Sequence, residues 1–183
     1  MTEILPVKVH QVSINQTILH TIYPGHPHCN EKWIKIIKDI GDKMDRSTNI
    51  KGGMTDYNDL RDNPEFQPLK DFAISISEEH PYHSPTTLDT KVDNMWGAMY
   101  KKGDHTVPHW HNPYNFSFVY FLKSDENSQP LCFTDSSDKF YIPPIEGSFV
   151  LFPAYLFHHV PHQTNDTDRI VIAGNITTKE KKK

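Results

Sequence analysis

The sequence predicts an α+β fold in which two helices come first and buttress an antiparallel β-sandwich or barrel. Three observations carry this. Two stretches with helical hydrophobic spacing lie in the first half of the chain. After His80 the character changes to short β-type runs separated by turn residues. No long helix alternates with those late runs, which argues against a parallel, doubly wound sheet. With 183 residues, the chain has enough length for one core and not clearly for two. It reads as a single domain over 1–183. Residues 1–90 supply an N-terminal strand, helices and loops, 91–178 the β core, and 179–183 a basic tail.

Each element has its own signal. In "LPVKVHQVSI", Val7 and Val9 fall on one face of a strand. The turn-rich "YPGHPHCN" ends at Asn30, a residue suited to cap a helix N-terminus. In "EKWIKIIKDIGDKM", Trp33, Ile36, Ile37, Ile40 and Met44 recur at helical spacing beside a charged face. "TNIKGGMTDYNDLRDNP" reads as a loop. A second helix runs through "EFQPLKDFAISISEEH" with Phe66, Leu69, Phe72, Ala73 and Ile76 inward; Pro68 sits in or near its first turn, where it is tolerated. The β runs are "MWGAMYKK", "NFSFVYFLK", "PLCFTD", "GSFVLFP" and "RIVIAGNIT".

Composition narrows the function. Hydrophobic residues make up 36% and charged residues 23%, with a formal net charge of −4. That balance gives nucleic-acid binding no support. No apolar run reaches membrane-spanning length, and "MTEILPVKV" lacks a basic region followed by an apolar stretch. Cys29 and Cys132 form neither a CxxC pair nor a disulfide framework. The protein is read as intracellular and cytoplasmic, and "KEKKK" as a solvated end.

The chemistry concentrates in "VPHWHNPYNF". Residues two apart on a strand share a face, so His109 and His111 can present two imidazoles to one ion. A third ligand comes from "FPAYLFHHVPH". His158 and His159 are adjacent and point to opposite faces, so only one of them serves. Downstream, Arg169 opens an otherwise apolar strand; its planar fork suits a carboxylate, and its plain alternative is a surface salt bridge to Asp166 or Asp168. The order G-x5-H-x-H, a strand pair, G-x5-P-x4-H and then Arg describes a double-stranded β-helix with a metal at its open end.

The stretches "MYKKGDHTVPHWHNPYNFSFVYFL", "PPIEGSFVLFPAYLFHHVPH" and "DRIVIAGN" resemble the Fe(II)/2-oxoglutarate-dependent oxygenases. The likeness is to the small prolyl-hydroxylase-like members found in phage and marine bacterial genomes, and it covers roughly residues 93–177. It implies a jelly-roll, cupin-like core. His109, His111 and His158 would be the catalytic metal ligands, with Fe(II), 2-oxoglutarate and O2 as cofactor and cosubstrates. Arg169 and Tyr100 would hold the far carboxylate of 2-oxoglutarate. Ser117 would make a further cosubstrate contact, facing inward with Val119 and Phe121. The reaction implied is hydroxylation of an unactivated C–H bond of a peptidyl or small-molecule substrate, with release of succinate and CO2, in the cytoplasm (a host's, if phage-encoded).

One departure stands out. Position 111 is histidine where most of these enzymes carry aspartate or glutamate, the carboxylate of the 2-His-1-carboxylate triad. Asp104 is a candidate substitute. Substrate choice would lie with "SDENSQP", "DSSDKFYIPP" and "KGGMTDYND", and with Tyr57, Trp110 and Tyr114 as lining residues. Two rival readings use the same histidines. One is a cupin without 2-oxoglutarate (dioxygenase, isomerase or binding module), with Asn115 where its first motif has glutamate. The other is a three-histidine zinc site.

Overall fold

A computed structural model describes residues 16–40, 48–81, 83, 87–134 and 139–181. The strand expected around Val7 and Val9, and Met44 of the first helical pattern, lie outside these. The chain runs β1 (Leu19–Ile22), α1 (Asn30–Ile40), β2 (Ile50–Lys51), β3 (Gly53–Met54), a 3-10 turn (Pro64–Phe66), α2 (Gln67–Glu78) and β4 (Leu88–Tyr100). It continues through β5 (His105–His109), β6 (Phe116–Lys123), β7 (Leu131–Thr134), β8 (Lys139–Ile142), β9 (Ser148–Pro153), β10 (His158–Val160) and β11 (Arg169–Glu180).

Two antiparallel sheets result, ordered β1-β9-β6-β11-β4-β3 and β2-β5-β10-β7-β8. This is the double-stranded β-helix, or jelly-roll, that the sequence predicts. Between the sheets lies a core that includes Trp96, Ala98, Val119, Phe121, Phe133, Phe152 and Val171. A second core sits on the other face of the large sheet, where Phe118, Tyr120, Leu122, Ile170 and Ile172 meet Trp33, Ile37, Leu69 and Ala73 of the helices. The large sheet is therefore covered on both faces. That is why "FSFVYFL" and "SFVLFP" are apolar throughout instead of alternating.

Both helices form where the spacing predicts. Trp33 and Ile37 of α1 are fully buried, and Ile36 and Ile40 pack at the edge of the same core. In α2, Leu69 and Ala73 are buried and Phe72 and Ile76 partly so, with Pro68 in the first turn. Asn30 departs from its expected role. It is the first residue of α1, and its side chain serves as an anchor to the sheet: Nδ2 donates to the Leu122 carbonyl at 3.0 Å, and Oδ1 accepts from the Tyr120 hydroxyl at 2.8 Å.

The stretch read as a loop, 48–64, contains β2 and β3. Ile50–Lys51 pairs with β5 and Gly53–Met54 with β4, so this segment edges both sheets. Two-residue strands are too short to carry a period. Strand β11 runs through Glu180 against Leu88, taking the first two residues of "KEKKK" into the ladder. No helix among the described residues is long and apolar enough to cross a membrane.

Close packing of α1 depends on Gly97 of β4. A Cβ there would lie 2.8 Å from Cγ1 and 2.9 Å from Cγ2 of Ile37. Gly97→Ala is expected to cost about 1–3 kcal/mol by overpacking, measured by urea denaturation. In an Ile37→Ala background the same substitution should cost much less; equal costs in both would refute the contact.

Candidate metal centre

The inner face of the large sheet is laid out in rows, because register partners on neighbouring strands share a face. Tyr100 pairs with Arg169. The next rows are Ala98–Val171–Phe121, Trp96–Ala173–Val119 and Asn94–Asn175–Ser117. A polar row at each end thus brackets two apolar ones. The facing small sheet supplies His109 from β5 and His158 from β10, which are direct register partners.

His109, His111 and His158 converge. One ring nitrogen of each lies within 4.8 Å of the others, and ring centroids are 4.4–5.0 Å apart. They are the one such cluster of His, Cys, Asp or Glu among the described residues. Nδ1–H of His109 donates to the Val107 carbonyl at 2.8 Å, and Nδ1–H of His158 to the Leu156 carbonyl at 2.8 Å. These bonds select the Nδ1–H tautomer, which leaves each Nε2 lone pair to the cluster, the arrangement of a metal-binding imidazole. His111 follows the strand, held by its backbone N–H on the Ala154 carbonyl at 2.7 Å. Burial lowers all three pKa values, and the neighbouring imidazoles add to this; His111 is pushed down to about 3, and His158 lies well below the ordinary value. The cluster is therefore neutral at pH 7 and able to hold a cation.

A bulge sets the aim of His109. His158 pairs with His109 but Val160 with Thr106, so β5 spends an extra residue at Val107–Pro108. Pro108, lacking an N–H, is exposed there. Thr106 and His109, an odd distance apart, consequently line the same cavity.

Arg169 is 1% exposed. Its guanidinium lies over the rings of Tyr100 at 4.8 Å and Phe121 at 5.4 Å, and its Nε and Nη1 have no hydrogen-bond partner. Asp166 and Asp168 pair with Lys102 and Lys38 instead, so the salt-bridge alternative for Arg169 does not hold. Burial works against its charge, and the Tyr100 hydroxyl, its own pKa raised by burial, counters this. That hydroxyl shares a 2.7 Å hydrogen bond with the buried Thr106. Arg169, Tyr100, Thr106, Ser117 and the three histidines line one cavity. A buried cation with open donors is a built receptor for an anion.

Ser117 donates to Asn175 Oδ1 at 2.7 Å. Asn175 Nδ2 donates to Asn94 Oδ1 at 2.9 Å, and Asn94 Nδ2 to the Tyr114 hydroxyl at 2.9 Å. Sequence reasoning missed Thr106, Asn94 and Asn175. Period-2 alternation back from Tyr100 and on from Arg169 reaches both asparagines and was the signal for them; the bulge hides Thr106.

Two site expectations are corrected. Asp104 is not in the cluster: its carboxylate accepts the Lys101 N–H across a turn in which Gly103 has φ +86°. Asn115 is not a ligand either, since its Oδ1 accepts the Thr178 N–H. An outer cleft adjoins the histidines, lined by Tyr57, Trp110 and Tyr114 as expected and by Arg61, Asp93, Asn94, Trp96 and Asn175. "KGGMTDYND" contributes to it. Among the described residues, "SDENSQP" and "DSSDKFYIPP" line neither cavity.

Solved structures share this fold. The prolyl-4-hydroxylase of Pseudomonas putida matches with TM-score 0.65 at 12% identity, over 88% of this chain and 92% of that one. HygX from Streptomyces hygroscopicus, with nickel, 2-oxoglutarate and hygromycin B bound, matches at 0.67 and 10% identity, over 88% and 83%. The viral collagen prolyl hydroxylase of Paramecium bursaria chlorella virus-1, a 2OG complex, matches at 0.63 and 12%, over 87% and 94%. No family model and no curated protein matches the chain. The likenesses establish the fold, the one implied by the sequence's resemblance.

The neutral imidazoles set a pH dependence. Below 6.5 the unfolded chain takes up protons that the folded cluster refuses, so stability falls as pH drops and is lost progressively toward pH 3. His111→Gln should remove up to about 1.4 kcal/mol per pH unit of that slope between pH 6 and 5, read by denaturant titration of metal-free protein. An unchanged slope would mean that His111 titrates normally.

Proposed function

We propose that this protein is a cytoplasmic non-haem Fe(II) and 2-oxoglutarate-dependent oxygenase, hydroxylating a C–H bond of a peptidyl or small-molecule substrate. One observation carries the reading: a buried guanidinium with open donors shares a cavity with three convergent, neutral imidazoles. A metal chelated by an α-keto acid whose far carboxylate needs a cationic partner makes use of both ends.

His109, His111 and His158 would hold the metal through Nε2. Arg169 would grip the far carboxylate, with the Tyr100 hydroxyl and Thr106 beside it, and Ser117 lines the same cavity. The apolar rows around Ala98, Val171 and Val119 keep water from the cavity, which strengthens each of these contacts. When bound, the iron and cosubstrate supply the oxidising chemistry, with O2 consumed and 2-oxoglutarate converted to succinate and CO2. Hydroxylation is favoured by the fold's likeness to prolyl hydroxylases; a carbocyclase and an epimerase share the fold at 9% and 10% identity. A cupin without 2-oxoglutarate gives Arg169 no task, and with Asn115 turned to Thr178 it lacks its fourth ligand.

Anaerobic titration with Fe(II) and 2-oxoglutarate tests the reading. We expect the weak visible charge-transfer band of the chelate. His158→Ala should abolish it, and Arg169→Met should weaken 2-oxoglutarate binding at least about tenfold, the cost of a lost charge-assisted hydrogen bond. Arg169→Met should not lower the melting temperature, because it replaces an unpaired buried charge by an apolar side chain. Iron-loaded protein without a band would end the cosubstrate assignment. Tightly held zinc with no Fe(II) uptake would favour the zinc site.

A further inference from the structure

Trp96 is a second buried donor without a partner, and the cosubstrate assignment does not use it. The side chain is 3% exposed, yet Nε1 has no hydrogen-bond partner. An indole nitrogen can only donate, and buried donors are rarely left unmet. Among the tryptophans, Trp33 has the ordinary arrangement, its Nε1–H donating to the Glu65 carbonyl at 3.2 Å. Trp110 is half exposed and can use water.

Position gives the unmet donor meaning. Trp96 lines both the inner cavity and the outer cleft. Its ring is edge-on to Tyr57 at 5.2 Å and lies 5.8 Å from His111. One row along the sheet is Asn94–Asn175–Ser117, whose hydrogen bonds end on the Tyr114 hydroxyl. A molecule reaching from the outer cleft toward the three histidines passes between these groups.

The charges around the cleft are already spent on one another. Arg61 donates from Nη1 to the Asp93 carbonyl at 2.6 Å, and from Nε and Nη2 to the Asp62 carboxylate at 2.8 and 3.0 Å. The Asp93 carboxylate takes Lys91 and the Thr177 hydroxyl. What remains open beside the histidines is neutral: an indole N–H, a phenol and the unused capacity of two carboxamides. Among neutral acceptors the amide carbonyl is the match, because the carboxamides of Asn94 and Asn175 can answer its N–H in turn.

We infer that Trp96 is a substrate-binding residue whose indole N–H donates to a neutral amide carbonyl of the molecule that enters the outer cleft. The substrate is thus an amide-bearing, uncharged segment at the point of reaction, held with an acceptor oxygen next to the metal centre. This rests on the oxygenase reading only for the word substrate; the donor and its cleft stand without it.

The three tryptophans give the test its internal controls. In 15N-labelled protein each indole N–H yields one cross-peak, assigned by Trp33→Phe, Trp96→Phe and Trp110→Phe. N-methylacetamide is the probe, with acetate as its charged counterpart. The expected result is a saturable downfield shift of the Trp96 cross-peak with N-methylacetamide, no such shift at Trp33 or Trp110, and little response to acetate. Trp96→Phe should keep the wild-type melting temperature, because the N–H has no partner inside the protein. No saturable shift, an equal shift with acetate, or a clear loss of stability in Trp96→Phe would each overturn the inference. The titration is run on metal-free protein and repeated with Zn(II) and 2-oxoglutarate. Failure of those two to bind would count against the oxygenase reading, while the metal-free arm judges Trp96 separately.

Discussion

The register of β11 between β4 and β6 is the constraint on which the site depends. Side chains alternate with a strict period of two, so this one pairing decides what faces the cavity. Arg169, Val171, Ala173 and Asn175 turn inward; Ile170, Ile172 and Ile176 turn to the helices. A slip of one residue would exchange the two sets, putting a guanidinium against α1 and isoleucines against the histidines. Both faces are buried, so neither set can tolerate the exchange. Packing of the second core against Trp33, Ile37 and Leu69 therefore aims Arg169 as firmly as any contact within the cavity does.

The same burial makes the site costly in the absence of ligand. Arg169 keeps its charge with Nε and Nη1 unmet, and Trp96 keeps an unmet N–H. The imidazoles are held neutral against their ordinary preference. Each of these opposes folding, and each is answered by a ligand of definite kind: an anion, an acceptor oxygen, a cation. Stability is given up where binding recovers it. The rigid surroundings permit this. Two backbone carbonyls, of Val107 and Leu156, hold two of the rings in the tautomer that exposes Nε2, so little ordering is left for the binding step.

Legibility in the sequence followed the strength of local signals. Five late strands and both helices were readable because each carries a period or an apolar run bounded by turn residues. The spacing of His109, His158 and Arg169 was readable because strand order converts spacing into position. Segment 48–64 was not, since β2 and β3 have two residues each and are strands only through their partners on β5 and β4. Thr106 escaped because the bulge at Val107–Pro108 breaks the alternation on which its placement would have rested. Asn30 carried a true signal with the wrong consequence: a residue suited to capping was drawn instead into tertiary bonds with Leu122 and Tyr120. The loops "SDENSQP" and "DSSDKFYIPP" looked apt for a binding site by composition, but composition says nothing about which end of the sandwich a loop occupies.

His111 is where sequence and structure together say most. A histidine in the carboxylate's place might have been pushed aside, leaving a two-ligand site; its ring instead stands 4.8 and 5.0 Å from those of its two neighbours. Nor does an acidic group compensate for it, with Asp104 committed to its turn. Three neutral ligands leave a divalent ion its whole charge, whereas a carboxylate would cancel half of it. Attraction for an anionic chelate rises accordingly, and Arg169 adds a further positive charge in the same cavity. By the same logic the three-nitrogen set suits nickel, copper and zinc at least as well as iron, so retention of Fe(II) must rely on supply and on the chelating cosubstrate rather than on the imidazoles. The substitution thus moves the burden of metal choice from the protein's ligands to the anion that Arg169 is placed to hold.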